Sequence, residues 1–359
     1  MPGPGDRFPG WPPRPAGARR RRRGRAVLVF LVVAALGLVA LTAGGLWWAS
    51  EHYTDRVERL PNVFPHHNDR PDKQGDDGAL NFLVAGIDSR SDLPTTGKNS
   101  KADLWKPGAQ RSDTLMLLHL AADRHKAYVV SVPRDTWVPI PGHGDAKINA
   151  SFSLGGPPLL IDTVEKLTGI RIDHFAVIDW DGFKSLTDSV GGVTLTVPQD
   201  TYDTEQHRGW KAGTYTMNGE EALDYVRQRH GLPRSDFDRI ARQQNFLRTL
   251  MSKMRGDISF TNPGGVIDVL DAFTDAVSVD DQLSNSELRT LAFDLRDLKT
   301  RDVTFMTAPI ARSDFIKGQS VVIMDRAKSK SLWPAIVQDR LPDWIRQHGD
   351  ADVLGSTVR

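Results

Sequence analysis

From Ala26 to Ala49 the chain runs through 24 residues without a charge (AVLVFLVVAALGLVALTAGGLWWA). At about 1.5 Å per helical residue such a run crosses a hydrocarbon core of roughly 30 Å, which predicts a membrane-spanning helix. The tail before it holds eight arginines, five of them in the block Arg19 to Arg23, and a single acid, Asp6. Arginines beside an apolar segment stay on the cytoplasmic side, so everything after Ala49 is expected outside the membrane, with Trp47 and Trp48 at the outer interface. A cleavable signal peptide is the competing reading. Against it, the run exceeds the usual apolar region of roughly 7 to 15 residues and lacks an AxA-like cleavage site.

The charge is unevenly divided. Eight arginines less one aspartate give residues 1–25 a net +7, and since the whole chain carries +1, residues 26–359 sum to −6. The outer part is therefore no polycation, and a nucleic-acid partner is not expected. None of the 359 residues is cysteine, which excludes disulfides, thiolate zinc sites and a cysteine nucleophile. The ten histidines show no HxxxH or HExxH spacing, and the pair His66 and His67 lies in a polar stretch, which argues against a histidine zinc site.

The pattern along the chain divides into a basic, disordered tail (1–25), the span (26–49), a polar spacer with Pro61, Pro65 and Pro71 (50–78), a main domain (79–255), further helices and strands expected to pack on it (256–345) and a short tail (346–359). Apolar runs predict strands at Leu80 to Gly86, Thr114 to Leu120, Lys126 to Val132, His174 to Ile178, Val193 to Val197, Val303 to Thr307 and Ser320 to Ile323. Helical patterns alternate with them at Pro157 to Thr168, Trp180 to Ser189, Asn218 to Tyr225, Asp236 to Met254, Asn285 to Leu298 and Arg326 to Asp339. Residues 91–110 read as a polar, mobile insert. The fold class expected is α/β: a layered α-β-α domain around a central mixed sheet, preceded by one transmembrane helix.

Five polar clusters fall where these elements meet loops: Asp88 with Arg90; Arg111 with Asp113; Arg134 with Asp135; Lys147 with Asn149; and Arg227, Arg229, Asp236, Asp238, Arg239, Arg242 and Gln243. Each alone is ordinary solvated surface. Together they complement one chemistry. Arginine forks hold phosphate oxygens bidentately, and two strand-end carboxylates suit Mg²⁺, which prefers a few carboxylates with phosphate oxygens and water. Arg227 and Arg229 share a side if the chain there is extended, and Arg239 and Gln243 share a helix face. The combination fits a diphosphate clamp with one metal. No GxxxxGK[ST], GxGxxG or GxSxG segment occurs, so neither a nucleotide nor a serine nucleophile is indicated.

Read in order, LNFLVAGIDSR, RSDTLMLL, VVSVPRDTWV, KINASFSLGG, HFAVIDWDGF, VGGVTLTVP, YTMNGEEALDYVRQRH and SDFDRIARQQNFL make the chain resemble the LytR-CpsA-Psr family of cell-wall glycopolymer ligases over residues 80–136 and 147–254. The resemblance implies an extracytoplasmic phosphotransferase that moves a glycopolymer from a polyprenyl-diphosphate carrier to a peptidoglycan hydroxyl and releases polyprenyl phosphate. It implies that Asp88 and Asp113 associate with Mg²⁺, or Mn²⁺ in its place, with Arg111 beside them, and that these and Arg134 form the catalytic set. Arg134, Arg227, Arg229, Arg239 and Gln243 then hold the diphosphate, Lys147 and Asn149 match the family's polar KINA segment, and an apolar cavity takes the prenyl tail. Phosphoryl transfer needs positioning and charge neutralisation above all, which arginines and a metal supply. Asp113 and Asp88 are equally open to metal or general-base roles. Two other functions fit the same residues: a diphosphatase in which water attacks, and a non-catalytic membrane regulator.

Overall fold

The computed structural model describes residues 57–88, 91, 93–108, 110–257, 272–295, 298–356 and 358. The expected basic tail and membrane span lie outside the described residues, among which no helix is long and apolar enough to cross a membrane.

The chain opens with β1 (Glu58–Leu60), β2 (Leu80–Asp88), β3 (Arg111–Leu120) and β4 (Ala127–Ser131). A hairpin of β5 (Trp137–Ile140) and β6 (Gly144–Lys147) leads into α1 (Asn149–Thr168), followed by β7 (His174–Asp179) and α2 (Trp180–Ser189). Next come β8 (Val193–Val197), β9 (Thr201–Asp203), β10 (Arg208–Trp210) and β11 (Gly213–Met217), then α3 (Gly219–Arg227) and α4 (Asp236–Asp257). The rest comprises β12 (Val277–Asp280), α5 (Asn285–Asp294), β13 (Val303–Thr307), β14 (Ile310–Ile316), β15 (Gln319–Met324), α6 (Arg326–Val337) and α7 (Leu341–His348).

Seven strands form one sheet in the order β1-β12-β7-β2-β3-β4-β13. The pairs β1/β12, β2/β7 and β4/β13 are parallel, and β7/β12, β2/β3 and β3/β4 are antiparallel, so the sheet is mixed, as expected. Its strands are apolar on both faces because both are covered. Leu83, Ala85 and Ile87 of β2 join Leu115 and Leu117 of β3 in a core closed by α1, α6 and α7. Phe82, Met116 and Val129 face the opposite core, built with α2, α3, α4 and the β8/β11 hairpin. This is the layered α-β-α arrangement.

Four expectations are corrected. The described part of the presumed spacer belongs to the domain: β1 lies in the sheet, Leu60, Val63 and Phe64 are buried, and Arg70 donates to the buried Glu165 at 2.6 and 2.9 Å. Such short polar runs carry no periodicity from which a strand can be read. α1 begins at Asn149 rather than Pro157, because Gly155 and Gly156 break it into two segments that the sequence shows as one. Gly156 has φ of 64°, and a Cβ there would stand 3.0 Å from the Trp105 ring, so a larger residue is strained and crowded. Leu298 lies beyond the end of α5 at Asp294. The 91–110 insert is anchored: Thr95 donates from backbone and hydroxyl to Asp179 (2.7 and 2.8 Å), Thr96 to the Ala276 carbonyl (2.9 Å), and the Gly97 amide to Ser278 (2.9 Å).

Candidate functional site

Parallel β2 and β7 end together, with Ile87 beside Asp179, and the polar residues gather at this edge, where open α/β sheets place their sites. The β2/β3 register shifts here: Gly86 pairs with Thr114, but Ile87 pairs with Ser112 and Asp88 with Arg111. Asp113 is therefore the extra residue of a β-bulge, which re-aims a side chain at the end of a ladder. Gly86 permits the close approach, since a Cβ there would lie 3.0 Å from that of Thr114.

The re-aimed Asp113 meets Arg134, whose Nη1 donates to its Oδ1 at 2.5 Å. Arg134 follows Pro133, which stops β4, and its Nε lies 3.9 Å from Asp135. Asp135 in turn pairs with Lys147 at 2.9 Å, and the Asn149 amide donates to the Arg134 carbonyl at 3.2 Å. Lys147 and Asn149 thus brace the loop that presents Arg134.

From the other side α4 contributes Asp236 and Arg239, joined at 2.8 Å, with Arg229 Nε 3.4 Å from Asp236. Arg239 is only 4% exposed, and its guanidinium is pushed down to about 10, first by burial and then by Arg134 and Arg229, against the pull of Asp236 and Asp113. For Arg134 burial acts in the same downward sense, but Asp113, Asp135 and Asp236 outweigh it and hold the group above its ordinary value. These mutual influences place Asp113, Arg134, Arg229, Asp236 and Arg239 in one cluster. Among the described residues, the buried Nε atoms of Arg134, Arg229 and Arg239 find no hydrogen-bond partner. Unsatisfied buried donors on three neighbouring cations are what an anion site requires.

Arg227 and Arg229 do not alternate along a strand as expected. Arg227 closes α3 with its guanidinium carbon 3.6 Å from the Trp180 ring centroid. Arg229 lies in the next loop, where the buried Asp203 accepts from the Arg229 and His230 amides at 3.0 and 3.2 Å. Gln243 donates to the Val226 carbonyl at 3.4 Å, tying α4 to α3. Arg242 and Asp238 stand apart from the cluster: Arg242 is wholly buried, stacks over Tyr225 and donates to Gln228 at 2.7 Å, and Asp238 holds Arg234 at 2.8 Å. Arg90 lies outside the described residues. Sequence reasoning left Asp203 and Trp180 out of the site. Trp180 follows a strand end and was open to suspicion on that ground, whereas Asp203 acts only through backbone amides and leaves no pattern.

Among the described residues no three His, Asp or Glu side chains gather around a common point. Two carboxylates, Asp88 and the bulged Asp113, stand near the ends of neighbouring strands, Asp88 opposite Arg111 and Asp113 held by Arg134. An oxygen pair of this kind suits a hard cation whose remaining ligands are phosphate oxygens and water.

Among curated proteins the chain is 31% identical over 345 residues to the cell wall biosynthesis protein LcpA of Corynebacterium glutamicum, a match spanning 87% of this chain and 66% of LcpA. It is 31% identical over 273 residues to the regulatory protein MsrR of Staphylococcus aureus, covering 75% of this chain and 73% of MsrR. The fold is similar to the crystal structure of TagV from B. subtilis, with a TM-score of 0.58 and 25% identity over 74% of this chain and 97% of TagV. The LytR_cpsA_psr model matches residues 52–337, and the chain belongs to that family.

Proposed function

We propose that the protein is a membrane-anchored, extracytoplasmic phosphotransferase that takes a glycopolymer from a polyprenyl-diphosphate carrier and joins it to a peptidoglycan hydroxyl. The observation that carries this reading is the trio Arg134, Arg229 and Arg239, whose buried Nε donors make no hydrogen bond among the described residues, beside the Asp113 bulge. Arg227 completes a set of four guanidinium groups, enough to match the charge of a diphosphate.

In this reading the arginines hold the diphosphate so that its glycan-bearing phosphorus faces the acceptor. The acceptor oxygen forms a new bond to that phosphorus, the bridging P–O bond breaks, and polyprenyl phosphate leaves with the bonding electron pair. The acceptor proton passes to a carboxylate of the Asp88 and Asp113 pair. Bound by the same carboxylates, Mg²⁺ (or Mn²⁺) would supply further charge neutralisation at the diphosphate. Arginines set in advance where charge develops lower the barrier without reorganisation.

The test uses the full chain purified in detergent, a short-chain polyprenyl-diphosphate glycan and peptidoglycan fragments, with mass spectrometry of the products. The expected product is a glycan-peptidoglycan phosphodiester, formed at least about tenfold more slowly by Arg134→Ala or Arg229→Ala and lost on EDTA treatment or in Asp113→Ala. Phosphorylated glycan released without acceptor identifies a hydrolase instead. Similarity to MsrR, named as regulatory, favours one further reading, an anchored regulator, which predicts binding of the donor without turnover.

A further inference from the structure

Resting on that diphosphate-clamp reading, we propose that Trp180 is a positioning residue that holds Arg227 by its ring face and leaves the guanidinium edge for phosphate. Arg134, Arg229 and Arg239 each lie against a carboxylate, Asp113 or Asp236. Arg227 differs. Among the described residues its side chain makes no hydrogen bond and no ion pair; its contact is the Trp180 ring at 3.6 Å, within van der Waals range of the guanidinium carbon. A tryptophan face attracts a cation through its quadrupole and occupies none of the N–H groups, which all point outward in the guanidinium plane. A carboxylate partner would fix the same side chain but neutralise it and consume two donors. Stacking orients Arg227 while its charge and its whole donor fork remain available.

The platform is itself rigidly seated. Trp180 opens α2, and Asp179 caps that helix by accepting from the Gly182 amide at 2.8 Å. Gly182 lies so close to the helical turn before β12 that a Cβ would stand 2.4 Å from the Ala276 carbonyl oxygen. One turn on, Phe183 packs on Phe246 of α4 with ring centroids 4.6 Å apart, tying the platform to the helix that carries Arg239. Arg227 arrives from α3, whose end Gln243 of the same α4 holds through the Val226 carbonyl. Ring and guanidinium are thus both braced by α4, the one through Phe246 and the other through Gln243.

The experiment titrates inorganic diphosphate with Mg²⁺ into the detergent-purified full chain by calorimetry, alongside thermal melting of each variant. Trp180→Leu is expected to weaken diphosphate binding about tenfold, and Trp180→Phe, which keeps an aromatic face, to stay within about twofold of wild type. Trp180→Met fills more of the ring's volume and substitutes for the leucine variant should that one melt early. In an Arg227→Ala background the leucine change should weaken binding no further, because ring and guanidinium act as one unit. Wild-type affinity of Trp180→Leu or Trp180→Met, or an undiminished effect of either without Arg227, overturns the proposal so long as Arg134→Ala still loses affinity. Unaltered binding by Arg134→Ala overturns the clamp itself, and the role of Trp180 with it.

Discussion

Arg239 keeps a positive charge almost wholly out of water, 4% exposed, next to the guanidinium groups of Arg134 and Arg229. Desolvation and like-charge repulsion both work against it, and its ion pair with Asp236 at 2.8 Å offsets only part of that cost. A bound dianion would reverse the balance, since three cations then share two negative charges in a poorly solvated site. The strain is therefore placed where a ligand relieves it, and binding and stability should part company at this position. Arg239→Met should alter the free energy of unfolding by no more than about 1 kcal/mol, and in the stabilising direction if repulsion dominates. The same change should weaken diphosphate binding at least tenfold. Urea denaturation and calorimetry on one preparation check both, and a loss of several kcal/mol would mean that Arg239 is chiefly a structural strut.

The elements around the site were unevenly legible. Strands such as His174–Asp179 and Val303–Thr307 are buried on both faces and stood out as apolar runs. The three residues of β1 and the four of β12 (VSVD) are too short and polar to show a period, and only pairing, of β1 with β12 and of β12 with β7 as well, makes them strands. The bulge at Asp113 was equally hidden, because one extra residue in a ladder is a relation between two strands. The polar composition of the 91–110 loop suggested mobility, yet its Thr95, Thr96 and Gly97 are buried. Gly97, at φ 73°, lies so close to the helical turn before β12 that a Cβ would stand 2.0 Å from the Asp275 carbonyl oxygen. Gly97→Ala should therefore detach this loop locally. We expect proteolysis within 91–110 to quicken at least about tenfold while the midpoint of global unfolding moves by only a few degrees. Unchanged cleavage would show that the anchor lies elsewhere along the loop.

At the scale of the molecule, the sheet carries its polar chemistry at one edge and a buried ionisable group in β3, an interior strand. His119 of β3 is fully buried, lies 2.7 Å from Asn81 and 3.2 Å from Asp339, and stacks on Tyr128. Burial, with Arg124 adding to it, lowers its proton affinity below the ordinary 6.5 despite the opposing pull of Asp339 and Asp173. The unfolded chain therefore binds the proton first, so this contribution is complete above about pH 6.5 and is lost as pH falls, by up to about 1.4 kcal/mol per unit. His119→Gln, which keeps a donor and an acceptor but cannot titrate, should flatten the fall in unfolding free energy between pH 6.5 and 5; equal slopes would remove His119 from the account. The sheet also joins distant parts of the chain. β12 lies between β1 and β7, and the Ser278 hydroxyl donates to Glu58, 220 residues earlier, at 2.7 Å. Closing a loop of that length costs about 2 kcal/mol more than one a tenth as long, and such pairings slow folding. A chain cut at residue 255 lacks β12 and β13, so two of its strands, β7 and β4, become open edges; it should be insoluble or melt without a cooperative transition. During synthesis the same arrangement leaves β1 without its neighbour until β12, more than 200 residues later, has emerged. The nascent chain therefore stays unfinished and threadable, and its stability arrives late and all at once.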